Sequence, residues 1–185
     1  MFHRSERLLL RPVFAEDWRD VYQGINDEGV VRMLGNAPWP YSEADAREFA
    51  SRARDPKHLS LAVTLPGDVG TRLIGVIGMG DRGFGMEIGY WIARRHWGRG
   101  YATEAGKGLI AIARMLGHRK LLAGHATDNP ASGRVLCKLG FRPTGEVRAE
   151  HSKGRGEEML VRRYVNELAG SGSGDQGPPE MSKAA

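Results

Sequence analysis

The segment Arg95-His96-Trp97-Gly98-Arg99-Gly100-Tyr101-Ala102-Thr103 separates a run with strand periodicity from a run with helical periodicity. No other feature constrains the fold as much. Residues 86–93, just before it, read as a strand. Beyond it, Ala102, Ala105, Leu109, Ile112, Ala113 and Leu116 form one apolar helical face. Gly98 and Gly100 let the intervening backbone turn tightly, so that successive N–H groups can point one way. The helix start adds partial positive charge, and Arg95 and Arg99 add full charges. The physics describes an anion site, with an ordinary strand-to-helix loop as the alternative. A P-loop is excluded because no Gly-Lys-Ser/Thr follows.

A second glycine-rich stretch, Gly78-Met79-Gly80-Asp81-Arg82-Gly83, formally spells a dinucleotide pattern. That pattern should open a helix. Here the next residues continue as a strand, so the stretch reads as a hairpin turn.

The rest of the chain supplies partners for these elements. Leu8 and Leu10 alternate in a first strand ended by Pro12. Trp18, Val21, Tyr22 and Ile25 fall at helical spacing. Ser42-Glu43-Ala44-Asp45 resembles a capping box that starts a helix with Ala46, Phe49, Ala50 and Ala53 turned inward. Residues 58–65 and 72–79 read as strands, with Pro66-Gly67-Asp68 as a turn between them. Residues 121–127 are a strand, and 130–139 are a helix ended by Gly140. Two last strands cover residues 144–150 and 158–165. Hairpins first and βαβ-like crossovers later predict a mixed sheet of roughly six or seven strands with helices on both faces. Gly106 and Gly108 are out of place in the helix after the turn, where each costs about 1 kcal/mol relative to alanine.

Composition narrows the class. At 185 residues and 41% hydrophobic, the chain can form one domain with a sizeable core and a cleft. That domain is expected over residues 1–169. Residues 170–185 are rich in Gly, Ser and Pro with almost no apolar content, and read as a disordered tail. No apolar run is long enough to cross a bilayer, and the polar start carries no signal-peptide core. A cytoplasmic protein without a membrane partner is the expectation. The net charge of +5 is spread along the chain, so a nucleic-acid partner is not favoured. Six histidines without zinc spacing and a single cysteine leave no metal centre. Cys137 lies in the body of a predicted helix and is expected to be buried rather than nucleophilic.

Arg95-x-x-Gly98-x-Gly100 resembles the diphosphate-binding signature of the GNAT superfamily of acyl-CoA N-acetyltransferases. The longer string HWGRGYATEA resembles the RimJ/RimL-like branch, which contains ribosomal-protein N-terminal acetyltransferases. ERLLLRP before it and TDNPASGRVLCKLGF after it extend the likeness over nearly the whole domain. The resemblance implies an α/β (α+β) GNAT fold with splayed strands at an acetyl-CoA site, and no metal. Trp91, Ile92 and Ala93 would bond the pantetheine arm through backbone, as an added strand would. Trp91 is also readable as a core aromatic. Amides around Gly98, Arg99, Gly100, Tyr101, Ala102 and Thr103, with Arg95 beside them, would hold the diphosphate. Asn129 would reach the CoA arm, although Pro130 after it also makes it a natural N-cap.

The same resemblance makes Ser132 the group that protonates the departing thiolate, with a first-turn serine bonded to its own backbone as the alternative. Other branches use a tyrosine near this point, and residues 137–143 contain none. Glu87 is the first candidate for the general base, against a solvent-facing strand carboxylate. Glu104 reads as structural, and Lys138 as a surface lysine. Trp39 and Tyr41, in the aromatic and proline-rich stretch Gly35-Asn36-Ala37-Pro38-Trp39-Pro40-Tyr41, are candidates for the acceptor side, or for packing at the domain edge. Three functional readings stay open. They are a protein N-terminal α-amine, a small-molecule amine (antibiotic, polyamine or amino acid), and a non-catalytic CoA- or nucleic-acid-binding module. A homodimer is also left open.

Overall fold

The computed structural model describes residues 1–52, 58–67 and 70–168. The expected tail and part of the turn after Gly67 therefore lie outside the described residues. Eight strands form one sheet: β1 (His3–Arg4), β2 (Leu9–Pro12), β3 (His58–Gly67), β4 (Gly70–Asp81), β5 (Met86–Ile92), β6 (Lys120–Ala126), β7 (Arg142–Ser152) and β8 (Glu157–Glu167). Five α-helices join them: α1 (Trp18–Ile25), α2 (Glu28–Val31), α3 (Glu43–Ser51), α4 (Tyr101–Met115) and α5 (Pro130–Lys138). The strand order is β1-β2-β3-β4-β5-β6-β8-β7.

The count exceeds the expected six or seven, and the short β1 supplies part of the excess. The later crossovers are also fewer than expected. Among the described residues only β5 and β6 pair in parallel, joined through α4. After α5 the chain runs to the sheet edge, and β8 folds back antiparallel between β6 and β7. The glycine-rich stretch at 78–83 is the end of β4 and its hairpin to β5, as read from the sequence.

Two apolar layers hold the sheet. On one face, Leu8, Leu61, Ile74, Ile88 and Leu121 pack with Leu109 and Ile112 of α4 and Leu136 of α5. On the other, Val76, Trp91 and Ala93 pack with Val21 and Ile25 of α1, Val31 of α2 and Ala46 of α3. Each such aliphatic side chain contributes about 1.5–3 kcal/mol when fully buried. Alternation along β5 divides it between the layers: Ile88 and Ile92 face the first, Trp91 the second.

The helix starts follow from their caps. Ser42 Oγ accepts from the Asp45 N–H at 3.1 Å, and Asp45 Oδ2 accepts from the Ser42 N–H at 2.9 Å, closing the expected capping box. The two misfit glycines of α4 are explained by close approach. A Cβ on Gly106 would lie 2.4 Å from Leu139 Cδ1, and one on Gly108 would lie 2.8 Å from both His3 and Leu10. Both places are filled by neighbours, so helix propensity gives way to packing.

Two expectations are corrected. Tyr41 is only 6% exposed and belongs to the second core layer, so its ring does not line an open groove. Burial, and Asp45 nearby, push its phenol up to about 12. Cys137 is exposed, because it falls on the outer face of α5 while Leu136 turns inward. Trp39 remains partly exposed.

Candidate active site

The parallel ladder between β5 and β6 is short. Its register covers Glu87 with Leu122 and Ile88 with Ala123. Beyond that point β5 continues through Gly89, Tyr90, Trp91 and Ile92, and β6 through Gly124, His125 and Ala126, without pairing. The two strands therefore splay, and the gap opens toward the start of α4 on one side and of α5 on the other.

Backbone accounting shows which groups face the gap. The Ala93 N–H donates to the Ile74 carbonyl of β4 at 2.9 Å. Antiparallel pairs alternate between bonded and non-bonded. Given the register of Trp91 with Val76 and Tyr90 with Ile77, Trp91 is directed to β4 as Ala93 is. Tyr90 and Ile92 are directed to the gap. Of the expected trio only Ile92 faces the gap, together with Tyr90, while the amides of Trp91 and Ala93 are directed to β4. The Trp91 side chain is core, packed so close to α1 that a Cβ on Gly24 would lie 3.0 Å from its ring. The Ile92 carbonyl accepts from Trp97 Nε1 at 2.6 Å, a bond that ties the strand end to the following turn.

That turn comprises a 3₁₀ turn, Arg94–His96, followed by Gly98 at φ +74° and Gly100 at φ +79°. Side chains with a Cβ rarely adopt that conformation, which accounts for both glycines. The first backbone bond of α4 runs from the Glu104 N–H to the Gly100 carbonyl at 3.0 Å. The N–H groups of Tyr101, Ala102 and Thr103 precede it and have no carbonyl within the helix. Arg95 and Arg99 are exposed beside them. Burial, then Arg95, Arg99 and Arg72, push the His96 imidazole below its ordinary 6.5, so it is neutral at pH 7 and adds no charge.

A brace invisible to the sequence reading holds this turn. Arg7 Nη1 donates to the Arg99 carbonyl at 3.1 Å, and its guanidinium lies 4.8 Å from the centre of the Tyr101 ring. Arg7 Nε donates to Glu104 Oε2 at 2.8 Å. Ser5 Oγ and the Arg7 N–H donate to Glu104 Oε1 at 2.7 and 2.8 Å. Burial alone would raise the Glu104 carboxyl; these donors outweigh it and hold it below its ordinary value. The residues lie nearly a hundred positions apart, and no local spacing announces the contact.

On the α5 side, Asn129 Oδ1 accepts from the Ser132 N–H at 3.2 Å and caps the helix. Its amide NH₂ makes no bond among the described residues. Ser132 Oγ lies 2.8 Å from the hydroxyl of Tyr90, which crosses from β5. Burial pushes the Tyr90 phenol up to about 12, against the opposing effect of the bond to Ser132.

Glu87 lies where the strands still pair. Both its oxygens accept from Arg163, Oε1 from Nη1 at 3.1 Å and Oε2 from Nη2 at 3.0 Å. Arg163 is buried on β8 and also reaches Glu150 at 3.1 Å. Burial works against the arginine's charge, and Glu87 and Glu150 more than offset it. Glu87 is therefore no free solvent-facing carboxylate. The stretch bearing Trp39 is anchored separately. Lys153 N–H donates to the Gly35 carbonyl at 2.9 Å, Ser152 Oγ to Leu34 at 2.8 Å, and Arg155 Nε to Arg32 at 2.7 Å. Arg155 also pairs with Asp128 at 2.9 Å, which links this stretch to the loop before α5.

An open strand edge leading to a glycine turn with unspent amides fits an extended, amide-bearing arm that ends in a diphosphate. That pairing defines the class of acyl-CoA-dependent transferases. The chain belongs to the GNAT acetyltransferase family: the family described as "Acetyltransferase (GNAT) domain" matches residues 7–142. It is thus an acyl-CoA N-acyltransferase that uses acetyl-CoA. An uncharacterized N-acetyltransferase, p20, of Bacillus licheniformis is 30% identical over 165 residues, covering 82% of this chain and 88% of that one. A GNAT-family acetyltransferase from Bacillus anthracis has a crystal structure that superposes with a TM-score of 0.78 at 25% identity, covering 91% of this chain and 99% of the other. The ribosomal L7/L12 α-N-protein acetyltransferase RimL, in complex with CoA, shares the fold at 17% identity and a TM-score of 0.76, covering 91% and 98%.

No helix among the described residues is long and apolar enough to cross a membrane. None of their His, Cys, Asp and Glu side chains group as a metal site would require.

Proposed function

We propose that this enzyme transfers the acetyl group to the α-amine of a protein N-terminus by direct attack of the amine on the thioester. The observation that carries the acceptor class is the likeness of the blocks HWGRGYATEA and TDNPASGRVLCKLGF to the RimJ/RimL-like branch, which contains ribosomal-protein N-terminal acetyltransferases.

In this reading each residue has a role. When bound, acetyl-CoA supplies the activated acetyl thioester. Amides at Gly98, Arg99, Gly100, Tyr101, Ala102 and Thr103 hold its diphosphate, with Arg95 adding charge. Tyr90 and Ile92 backbone groups align the arm, and the Ile92 N–H is placed to receive the negative charge that develops on the carbonyl oxygen. Asn129 offers its unspent amide to the arm. Ser132 protonates the sulfur. Glu87 takes the amine's proton, although doing so disturbs a formed ion pair with Arg163, so positioning carries much of the acceleration. Trp39 lines the acceptor side.

An acceptor screen tests the reading. Release of CoA thiol is followed with short peptides bearing free N-termini and with a panel of polyamines, amino acids and aminoglycosides. The expected result is at least a tenfold larger kcat/KM for one or more of the peptides, about 1.4 kcal/mol in transition-state binding. A small amine exceeding every peptide would overturn the acceptor class.

A further inference from the structure

The hydroxyl bridge between Tyr90 and Ser132 crosses the gap that the parallel strands leave open. Tyr90 belongs to β5, and Ser132 to the first turn of α5, the helix that follows β6. Their oxygens are 2.8 Å apart, and the Tyr90 hydroxyl lies 3.4 Å from the Ser132 carbonyl. The ring of Tyr90 packs against the apolar layer that includes Leu109 of α4 and Leu136 of α5. Ser132 is itself held in place, because its N–H donates to the capping Asn129. A hydroxyl has one proton to give and two lone pairs to accept with. Phenol is the more acidic partner and so the better donor. With the tyrosine donating, the serine's own proton is left for another acceptor.

We propose that Tyr90 is a positioning residue for Ser132: its O–H donates to Ser132 Oγ, aims the serine proton at the thioester sulfur, and replaces that proton once it has been given up. This deepens the assignment of Ser132 as the proton donor and rests on it. The step balances. The nitrogen lone pair forms the C–N bond, and the C–S bond breaks with its electron pair left on sulfur. The Ser132 proton goes to sulfur, the Tyr90 proton passes to Ser132 Oγ, and the phenol is reprotonated from water by the proton that the nitrogen releases. The net result is one proton moved from nitrogen to sulfur, with nothing oxidised or reduced. No tyrosine is present at 137–143, and the phenol that meets Ser132 comes instead from β5.

The first readout requires no acceptor. CoA itself is bound to the wild-type enzyme and to Tyr90→Phe, Ser132→Ala and the double variant. The ionisation of its thiol is followed by thiolate absorbance against CoA-free protein. A donor aimed at sulfur favours the thiolate, so the wild-type complex should ionise at lower pH than the variants. Tyr90→Phe keeps the ring's packing and removes only the hydroxyl. The expected result is a drop of about threefold or more in the thiol's ionisation constant in Tyr90→Phe, with the double variant no lower than Ser132→Ala alone. Steady-state kcat for a peptide acceptor should fall in parallel, with the KM for acetyl-CoA unchanged. A thiol that ionises alike in wild type and Tyr90→Phe, while Ser132→Ala shifts it, would refute the tyrosine's role alone. A thiol unmoved by Ser132→Ala would refute the serine assignment and this proposal together. Additive effects in the double variant would show that the tyrosine does not act through the serine.

Discussion

Glu87 and Arg163 form the most consequential ion pair near the gap, because the arginine is buried and the carboxylate binds it through both oxygens. Removing one partner of such a pair costs more than the pair contributes, since a buried charge is left behind. Glu87→Gln keeps one acceptor oxygen, and Glu150 still faces the arginine, so the loss is expected to be about 1–3 kcal/mol. Urea unfolding at pH 7 measures it; unchanged stability would mean that the pair contributes nothing. The same variant separates anchoring from proton transfer. If Glu87 also takes the amine's proton, kcat/KM loses its acidic limb in the variant, whereas a purely structural glutamate leaves the profile's shape intact. The sequence places Glu87 on the strand before the glycine turn, and β5 carries it there. Its partner was out of reach, because Arg163 lies on a strand whose place in the sheet depends on the fold-back of β8.

At the scale of elements, the start of α4 is held from outside itself. Ser5 and Arg7, in the connection between β1 and β2, bind Glu104 and the Arg99 carbonyl. The folded Glu104 carboxyl sits below its ordinary 4.5. Its contribution is therefore full above that value and is lost as pH falls below it. Glu104→Gln is expected to lower stability at pH 7 by about 1–2 kcal/mol, with the difference from wild type shrinking as pH falls below 4.5. Thermal melts across pH 3–8 check this, and a constant difference at every pH would contradict it. The element types were legible because apolar periodicity and caps are local: Ser42, Asn129 and Gly140 mark helix ends in the chain itself. Which amides of β5 stay free was not legible. It depends on the parity of the β4–β5 register, and a shift of one residue exchanges Trp91 and Ala93 for Tyr90 and Ile92. Whether Tyr41 lines a groove or packs stayed open for a related reason, since an aromatic in a proline-rich loop gives no local sign of which way its ring will turn.

Over the described residues the molecule is a sheet with an apolar layer on each face and an interruption where β5 and β6 splay apart. Every proposed donor contact falls along that interruption or at the turn it leads to. The chain's positive charge is general, but Arg7, Arg95 and Arg99 are concentrated around the first turn of α4, where they act with the helix start. The central claim is that this turn seats the diphosphate of acetyl-CoA. Calorimetric titration of acetyl-CoA into wild-type enzyme and Gly100→Asp tests it most directly. Aspartate puts a Cβ into a φ of +79° and a negative charge beside the unspent amides. Wild type should bind one equivalent, and the variant at least about tenfold more weakly, a loss of about 1.4 kcal/mol or more. Equal affinity in the two proteins would contradict the assignment.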